Sequence, residues 1–413
     1  MKTHIFHGDL VVWAVFALLC IISLIEVYSA GSTLVYKDGN FWRTFISQAT
    51  FLGVGTTIAW FVHCVPCRWF KIIPIIFYPV VVILLVWALV GGENINGGAR
   101  WLRIPFVGMT FQPSELAKGV LITTVALILT TSQREKGADV NAFKMILIFS
   151  GIICGLIVTQ NFSTAAMLFG VVCLMMIIGR VPWRQLGIMF AVLGAAAILG
   201  FSTLKALPDD PDSVVYKSSL TQRALTWKHR LNANDMDTSV SAKDFEVTDG
   251  NRQKVHARIA IARGAGKGVL PGNSVQRDFL SQAYSDFIFA IIGEELGIWG
   301  SAFVVFLYMV LLIRAGRIAS RCERNFPAFL VMGLTMLMVS QAMLNMMVAV
   351  GLFPVTGQTL PMISRGGSST VITCVYFGMI LSISRYARSN GKAALENVAR
   401  EESREIEKDF QKD

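Results

Sequence analysis

The sequence predicts an all-α, polytopic membrane protein of about ten transmembrane helices, on three observations. Only 15% of its 413 residues are charged and 54% are hydrophobic, whereas soluble domains carry about 25% charge. Apolar stretches close to the roughly 18 residues needed to cross a bilayer recur along its whole length. Lys and Arg gather in alternate connections between those stretches, as in a chain threaded back and forth through a membrane.

The spans fall in order near residues 10–28, 45–62, 72–91, 114–131, 145–160, 163–179, 187–206, 286–313, 328–350 and 369–386. The first lacks a small-residue cleavage site and many spans follow it, so it is expected to be a retained helix. The pair 145–160 and 163–179 is short and closely joined. One set of connections carries Lys2, Arg68, Lys71, Arg134, Lys136, Lys144, Arg180, Arg184, Arg314, Arg317, Arg321, Arg324 and a basic tail from Arg385. The other short connections carry Lys37, Arg43, Arg100, Arg103 and Arg365. The richer set is expected on the cytoplasmic side, which puts both termini inside and the long connection 207–285 outside. Residues 1–390 then form one membrane domain with that external loop, and 391–413 a charged cytoplasmic tail. The net charge of +10 reflects this topology and attraction to anionic lipid. No aromatic-basic module accompanies it, so no nucleic-acid partner is expected. No internal repeat of the kind that builds many transporters is visible.

Of the seven cysteines, Cys20, Cys154, Cys173 and Cys374 lie in spans as small core residues. Cys64-Val-Pro-Cys67 beside His63 has the spacing of half a metal site, but no second pair completes it. In the external loop, 207–250 is acid-rich. Asn251 to Ile261 suits a short helix with Val255, Ile259 and Ala262 on one side. Arg263-Gly-Ala-Gly-Lys267-Gly-Val-Leu-Pro-Gly-Asn-Ser274 follows. Glycines at that density permit close backbone approach to a ligand, and equally a flexible loop.

Three constellations carry ionisable groups where apolar ones are expected. In the first, Asp286 opens the run 286–313. At helical spacing Asp286, Ala290, Gly293, Glu294, Gly297 and Gly300 share a stripe of small residues, which faces the carboxylates into the bundle. Ionisable groups at membrane depth usually mark a working site. In the second, Asn96-Gly-Gly-Ala-Arg100-Trp101-Leu-Arg103 is a loop that leads to Gln112-Pro-Ser-Glu115-Leu-Ala-Lys118. Pro113 fits a first helical position and Glu115 its positive end. Lys118 lies at i+3 from Glu115, so it can pair with it or hold an anion. Trp101 suits an interfacial anchor. In the third, Gly351 to Thr370 holds two prolines and several glycines between apolar spans, which predicts irregular backbone. Such backbone survives at membrane depth only where protein or water covers it. Arg365 beside a Gly-Gly-Ser368-Ser helix start offers a cation, free N–H groups and hydroxyls suited to phosphate. Gln341 and Asn345, at i and i+4, give the preceding span a polar face.

Taken in order, Gly98-Ala-Arg-Trp-Leu-Arg103, Gln112-Pro-Ser-Glu-Leu-Ala-Lys118, Asp286-Phe-Ile-Phe-Ala-Ile-Ile-Gly-Glu-Glu-Leu-Gly297 and Gly351-Leu-Phe-Pro-Val-Thr-Gly357 resemble the signatures of a bacterial membrane-protein family. That family is the shape, elongation, division and sporulation (SEDS) family, the FtsW and RodA group. The resemblance spans about residues 10–388. Phe111-Gln-Pro-Ser-Glu115 and Leu381-Ser-Ile-Ser-Arg385 look more like its division branch than its elongation branch.

The resemblance implies a multi-pass protein of the bacterial inner membrane. It implies a glycosyltransferase that polymerises lipid II, the lipid-linked disaccharide-pentapeptide. It implies a class B penicillin-binding transpeptidase as partner, with other divisome proteins. Asp286 aligns with the family's essential external aspartate, and Trp101, Glu115 and Lys118 with other motif positions. This chain departs from the pattern at three places. Gln160-Asn161-Phe-Ser-Thr164 stands where Pro-Asp-Leu-Gly-Thr is usual, and Leu280-Ser-Gln-Ala-Tyr284-Ser285 where Leu-Pro-Glu-Ala-His-Thr is usual. Arg365 stands where tyrosine is common. A second acid or a histidine beside Asp286 is therefore not expected.

The chemistry implied is attack of a sugar hydroxyl on an anomeric carbon as lipid pyrophosphate leaves. Asp286 is the expected general base. Lys118, Arg100, Arg263, Lys267 and Arg365 are expected partners for the pyrophosphate, with Trp101, Glu115 and Ser368 also at the substrate. A divalent cation, Mg or Mn, would share that role, although no dedicated ligand cluster is visible. The same polar interior suits two other classes: a flippase for lipid-linked sugar, and a scaffold that activates a transpeptidase without chemistry of its own.

Overall fold

The computed structural model describes residues 8–31, 41–91, 93–95, 98–103, 110–134, 137–206, 251–280 and 282–388. The acid-rich half 207–250, the tail 391–413, and Lys2, Lys37, Asn96, Gly97 and Lys136 lie outside them. The helices are α1 (Leu10–Ala30), α2 (Phe41–Cys64), α3 (Ile73–Gly91, led in by a 3-10 turn Cys67–Ile72), α4 (Pro113–Thr131), α5 (Val140–Val158) and α6 (Phe162–Ile178). Then come α7 (Trp183–Ala206), α8 (Arg252–Arg263), α9 (Ile288–Glu295), α10 (Gly297–Ser320), α11 (Asn325–Ala349) and α12 (Ser368–Arg388). Among the described residues nine are long and apolar enough to cross a membrane, and α6 is apolar but only 17 residues long.

Burial sorts these helices. Most of α4, α11 and α12 is enclosed, whereas α7 is open along nearly its whole length. The open faces are themselves apolar: Ile75, Ile83, Trp87, Ile188 and Ile198 are all exposed. A surface of that kind suits lipid tails rather than water. The core helix α4 packs against α3, α5 and α11, and α11 against α10. The bundle is polarised. The Asp9 amide donates to Ser384 Oγ at 2.9 Å, and Arg314 pairs with Asp9. The start of α1 and the ends of α10 and α12 thus share one end, which we term the basic end. The described parts of the connections between α3 and α4, between α8 and α9 and between α11 and α12 lie at the other.

Two expectations need correction. The run 286–313 is not one span. Its first part is the short helix α9, all eight residues of which are buried, and Gly297 then turns the chain at φ +66° before α10 begins. The cause is the loop that follows α8. Val269 N–H donates to Glu294 O at 3.0 Å and Leu270 N–H to Glu295 O at 2.9 Å, so the loop satisfies the last carbonyls of α9. The stripe from Asp286 to Gly300 therefore does not exist as one helical face. In α8 the buried residues are Lys254, Ala257 and Ala260, while Ile259 and Ala262 face outward. Alanine lets α8 approach α9 closely.

Short strands also occur. β1 (Glu93–Ile95), β2 (Gly98–Arg103) and β3 (Thr110–Phe111) form an antiparallel sheet in the order β1-β2-β3, with Glu93 opposite Trp101 and Leu102 opposite Phe111. The stretch Gly98–Arg103, read from sequence as a loop, is thus the middle strand beside the start of α4. At the basic end β4 (Gln133–Arg134) pairs with β5 (Gly137–Ala138).

Candidate active site

Asp286 sits in the turn that feeds α9. Its amide donates to Gln282 O at 3.1 Å, and Gln282 itself adopts φ +67°. Its carbonyl accepts from Asn345 Nδ2 at 2.9 Å, and the same amide nitrogen of Asn345 donates to Gln358 O at 2.7 Å. Fully buried Asn345 thereby ties the Asp286 turn to the irregular segment 351–367. The carboxylate is half-buried and accepts from Ser285 Oγ at 3.1 Å. Opposite it lies Gly357, at φ +67°. A Cβ placed there would meet only Asp286 Oδ2, at 3.7 Å. Glycine at this position thus faces the carboxylate with no side chain of its own.

Lys118 lies one helical turn below Asn345 in the same polar network. Its side chain is 1% exposed, and Nζ donates to Glu115 Oε1 at 2.8 Å and to Gln341 Oε1 at 2.7 Å. Gln341 Nε2 in turn donates to Thr359 O at 3.0 Å, and Tyr376 Oη to Glu115 O at 2.7 Å. The i+3 spacing of Glu115 and Lys118 produces the expected pair. The lysine is enclosed by it, so its charge supports the irregular segment from beneath.

Arg365 stands on the other flank. Its amide donates to Tyr284 O at 3.0 Å, and its guanidinium lies 5.7 Å from the Tyr284 ring centroid. Ser364 Oγ donates to Ser285 O at 2.6 Å, which fixes the start of α12 against the Asp286 turn. Burial pushes the Tyr284 phenol above its ordinary range; Arg365 partly offsets this and Asp286 adds to it. The Tyr284 phenol thus lies within electrostatic reach of both Arg365 and Asp286. Ser368 opens α12 two residues beyond Gly366.

Other expected site residues are placed elsewhere. Arg263 donates to Glu294 Oε1 at 3.2 Å. Glu294 also accepts from Val275 N at 3.1 Å, Gln276 N at 3.3 Å and the Ser274 hydroxyl, all while fully buried. The neighbouring Glu295 accepts from Ser29 Oγ, Gly272 N and Ser274 N. These carboxylates clamp the glycine-rich loop onto α9, and two of its glycines, Gly264 and Gly268, face protein, whereas Gly266 and Gly272 are open. A Cβ on Gly264 would fall 1.9 Å from Gly293 O, and one on Gly268 2.3 Å from Glu295 O. Lys267 is exposed on the same loop. Arg100 and Trp101 lie in β2, with Trp101 half-buried. Asn161, which stands where the resembled family usually has an acid, caps α6 by accepting from Thr164 N at 3.2 Å, and Thr164 Oγ1 accepts from Gln358.

His63 is buried with its ring edge-on to Trp13, and Cys64 is exposed. Among the described residues no three His, Cys, Asp or Glu side chains converge on a metal-sized point. Sequence reasoning did not single out Gln358, Ser364 or Tyr376. Their signal was only their place in or just after a segment already read as irregular.

A family model described as cell cycle protein, covering FtsW, RodA and SpoVE, matches residues 9–389. Two relatives carry the description "Probable peptidoglycan glycosyltransferase FtsW". The one from Halomonas elongata is 31% identical over 375 residues, covering 88% of this chain and 87% of its own. The one from Legionella pneumophila is 32% identical over 381 residues, covering 90% and 89%. Among solved structures, a chain of a peptidoglycan synthase complex that coordinates polymerization and crosslinking superposes with a TM-score of 0.71 at 24% identity, covering 92% of this chain and 98% of that one. The rod shape determining protein RodA of Thermus thermophilus superposes with a TM-score of 0.61 at 22% identity, covering 92% and 97%. At these identities the structures speak for the fold.

Proposed function

We propose, for a chain that belongs to the FtsW, RodA and SpoVE family of cell cycle proteins, that it is a peptidoglycan glycosyltransferase polymerising lipid II at division. The observation that carries the mechanism is the half-buried Asp286 carboxylate facing Gly357, where the space of a Cβ 3.7 Å from Oδ2 is left unfilled. In this reading the 4-hydroxyl of an acceptor sugar enters that space. Asp286 takes its proton as the oxygen bonds to the anomeric carbon of a donor, and the bond from that carbon to lipid pyrophosphate breaks. A single displacement of this kind inverts the anomeric carbon.

Arg365 is the cation best situated to offset charge on the leaving pyrophosphate, since it flanks the Asp286 turn through Tyr284. Lys118 acts as a positioning residue: through Gln341 it supports Thr359, two residues from Gly357. Arg263 holds the loop through Glu294 and does not reach for substrate. The inner membrane is the site of action. A class B penicillin-binding transpeptidase is the proposed partner, with other divisome proteins, by analogy with the synthase complex that shares the fold.

The test is polymerisation of purified lipid II by the full-length protein in detergent, with and without the cognate transpeptidase. Asp286→Asn is expected to keep its thermal unfolding transition and to lose at least about 100-fold in rate, the lower range for removing a general base. Polymer made by that variant at the unaltered rate would remove Asp286 as the base. Lipid II exchanged between vesicle leaflets without polymer would indicate a flippase, and neither activity a scaffold.

A further inference from the structure

The basic end holds a cavity of about 390 Å³ far from Asp286. Arg68, Lys71, Arg324 and Arg385 line it, with Phe326 and Tyr386 among its walls. Elsewhere at this end arginines meet carboxylates: Arg134 lies 2.9 Å from Asp139, and Arg314 pairs with Asp9. Among the described residues none of the four cavity cations pairs with a carboxylate. Arg385 donates to Cys64 O at 2.9 Å, and Lys71 Nζ lies 5.5 Å from the Phe326 ring centroid. Cations gathered around one hollow repel one another, and an anion between them removes that cost. The volume falls within the roughly 300–1,000 Å³ of small-ligand sites.

From this convergence we infer a binding site for a phosphate ester, carried by the headgroup of an anionic membrane lipid. The lipid source follows from position. The cavity lies where α2 ends, where the 3-10 turn leads into α3, where α11 starts and where α12 ends, so it sits at the edge of the bilayer. Trp69 beside it is 52% exposed, as suits an aromatic anchor at headgroup depth. Arginine forks match phosphate oxygens, and basic pockets between transmembrane helices are known to take anionic headgroups. Neither α9 nor Asp286 takes part, so the site stands independently of the catalytic reading.

Native mass spectrometry of the full-length protein, titrated with phosphatidylglycerol, phosphatidylcholine or inorganic phosphate, tests the inference. Phosphatidylglycerol is expected to bind in preference to phosphatidylcholine, and equimolar inorganic phosphate is expected not to displace it. Arg324→Gln, which removes a cation whose side chain makes no hydrogen bond among the described residues, is expected to weaken phosphatidylglycerol about fivefold. The pair Arg68→Gln and Lys71→Gln is expected to weaken it further. Arg184→Gln, an exposed charge outside the cavity, is expected to change nothing. Equal binding of the two lipids, or equal weakening by Arg184→Gln and Arg324→Gln, would overturn the site. Displacement by equimolar inorganic phosphate would overturn its assignment to lipid.

Discussion

Lys118 is a fully enclosed cation whose neutrality depends on one neighbour. Glu115 supplies the charge at 2.8 Å and Gln341 a dipole at 2.7 Å. Removing one partner of a buried pair leaves the other charge uncompensated, at about 3–5 kcal/mol. Lys118→Met is therefore expected to lower the thermal unfolding midpoint sharply. The double variant Lys118→Met with Glu115→Gln is expected to recover most of that loss, because no orphan charge remains. Equal midpoints for single and double variants would mean the pair is not what is lost. At this scale the sequence was informative. A lysine three residues after a glutamate on an apolar helix pairs with it by helical geometry alone. The second partner, Gln341, lies on α11 and could not be read from spacing.

The break between α9 and α10 is decided by an element rather than by a side chain. Gly297 takes φ +66°, and a Cβ there would fall 2.5 Å from Gly266 O. Gly268 is as tightly enclosed, at 2.3 Å from Glu295 O. Gly297→Ala and Gly268→Ala are expected to cost about 1–3 kcal/mol each through overpacking, read as faster proteolysis of the loop 264–280 and a lower unfolding midpoint. Gly53→Ala on α2 is the contrast: a Cβ there meets nothing within 4 Å. It is expected to be neutral or stabilising, since alanine is the better helix former. The run 286–313 looked like one span because hydropathy counts apolar residues and is blind to the loop that caps α9 from outside. The glycines of that loop were visible in the sequence. That two of them, Gly264 and Gly268, pack against the backbone of α9 was not.

Across the whole molecule, the ends of the chain's membrane region close on each other at the basic end. Asp9 caps α1 by accepting from the Val11 and Val12 amides, pairs with Arg314 on α10, and through its own amide meets Ser384 on α12. Asp9→Asn keeps the capping acceptor and loses the ion pair; Asp9→Ala loses both. The second is expected to be less stable than the first by about 1 kcal/mol, the usual worth of an N-cap, in denaturant or thermal unfolding in detergent. The same end gathers the four cations of the lipid cavity, while the opposite end carries Asp286, Tyr284 and Arg365. The molecule thus separates its proposed chemistry from its proposed lipid anchorage by the thickness of the bundle.

What the sequence determined by itself was whatever is local along the chain. It located the apolar spans apart from the broken run 286–313, the Glu115–Lys118 pair, the irregular stretch after Gly351 and the short blocks that mark the family. Hydropathy, helical spacing and proline or glycine placement each act over a few residues, so one chain suffices to read them. Tertiary structure alone decided that Arg263 belongs to Glu294, that α8 buries Ala257 and Ala260, that Gly357 faces Asp286, and that Arg68, Lys71, Arg324 and Arg385 face one hollow. Each of these joins residues tens to hundreds of positions apart. Their proximity is fixed by how helices pack, and packing energy depends on shape across the whole bundle rather than on any pattern within a segment.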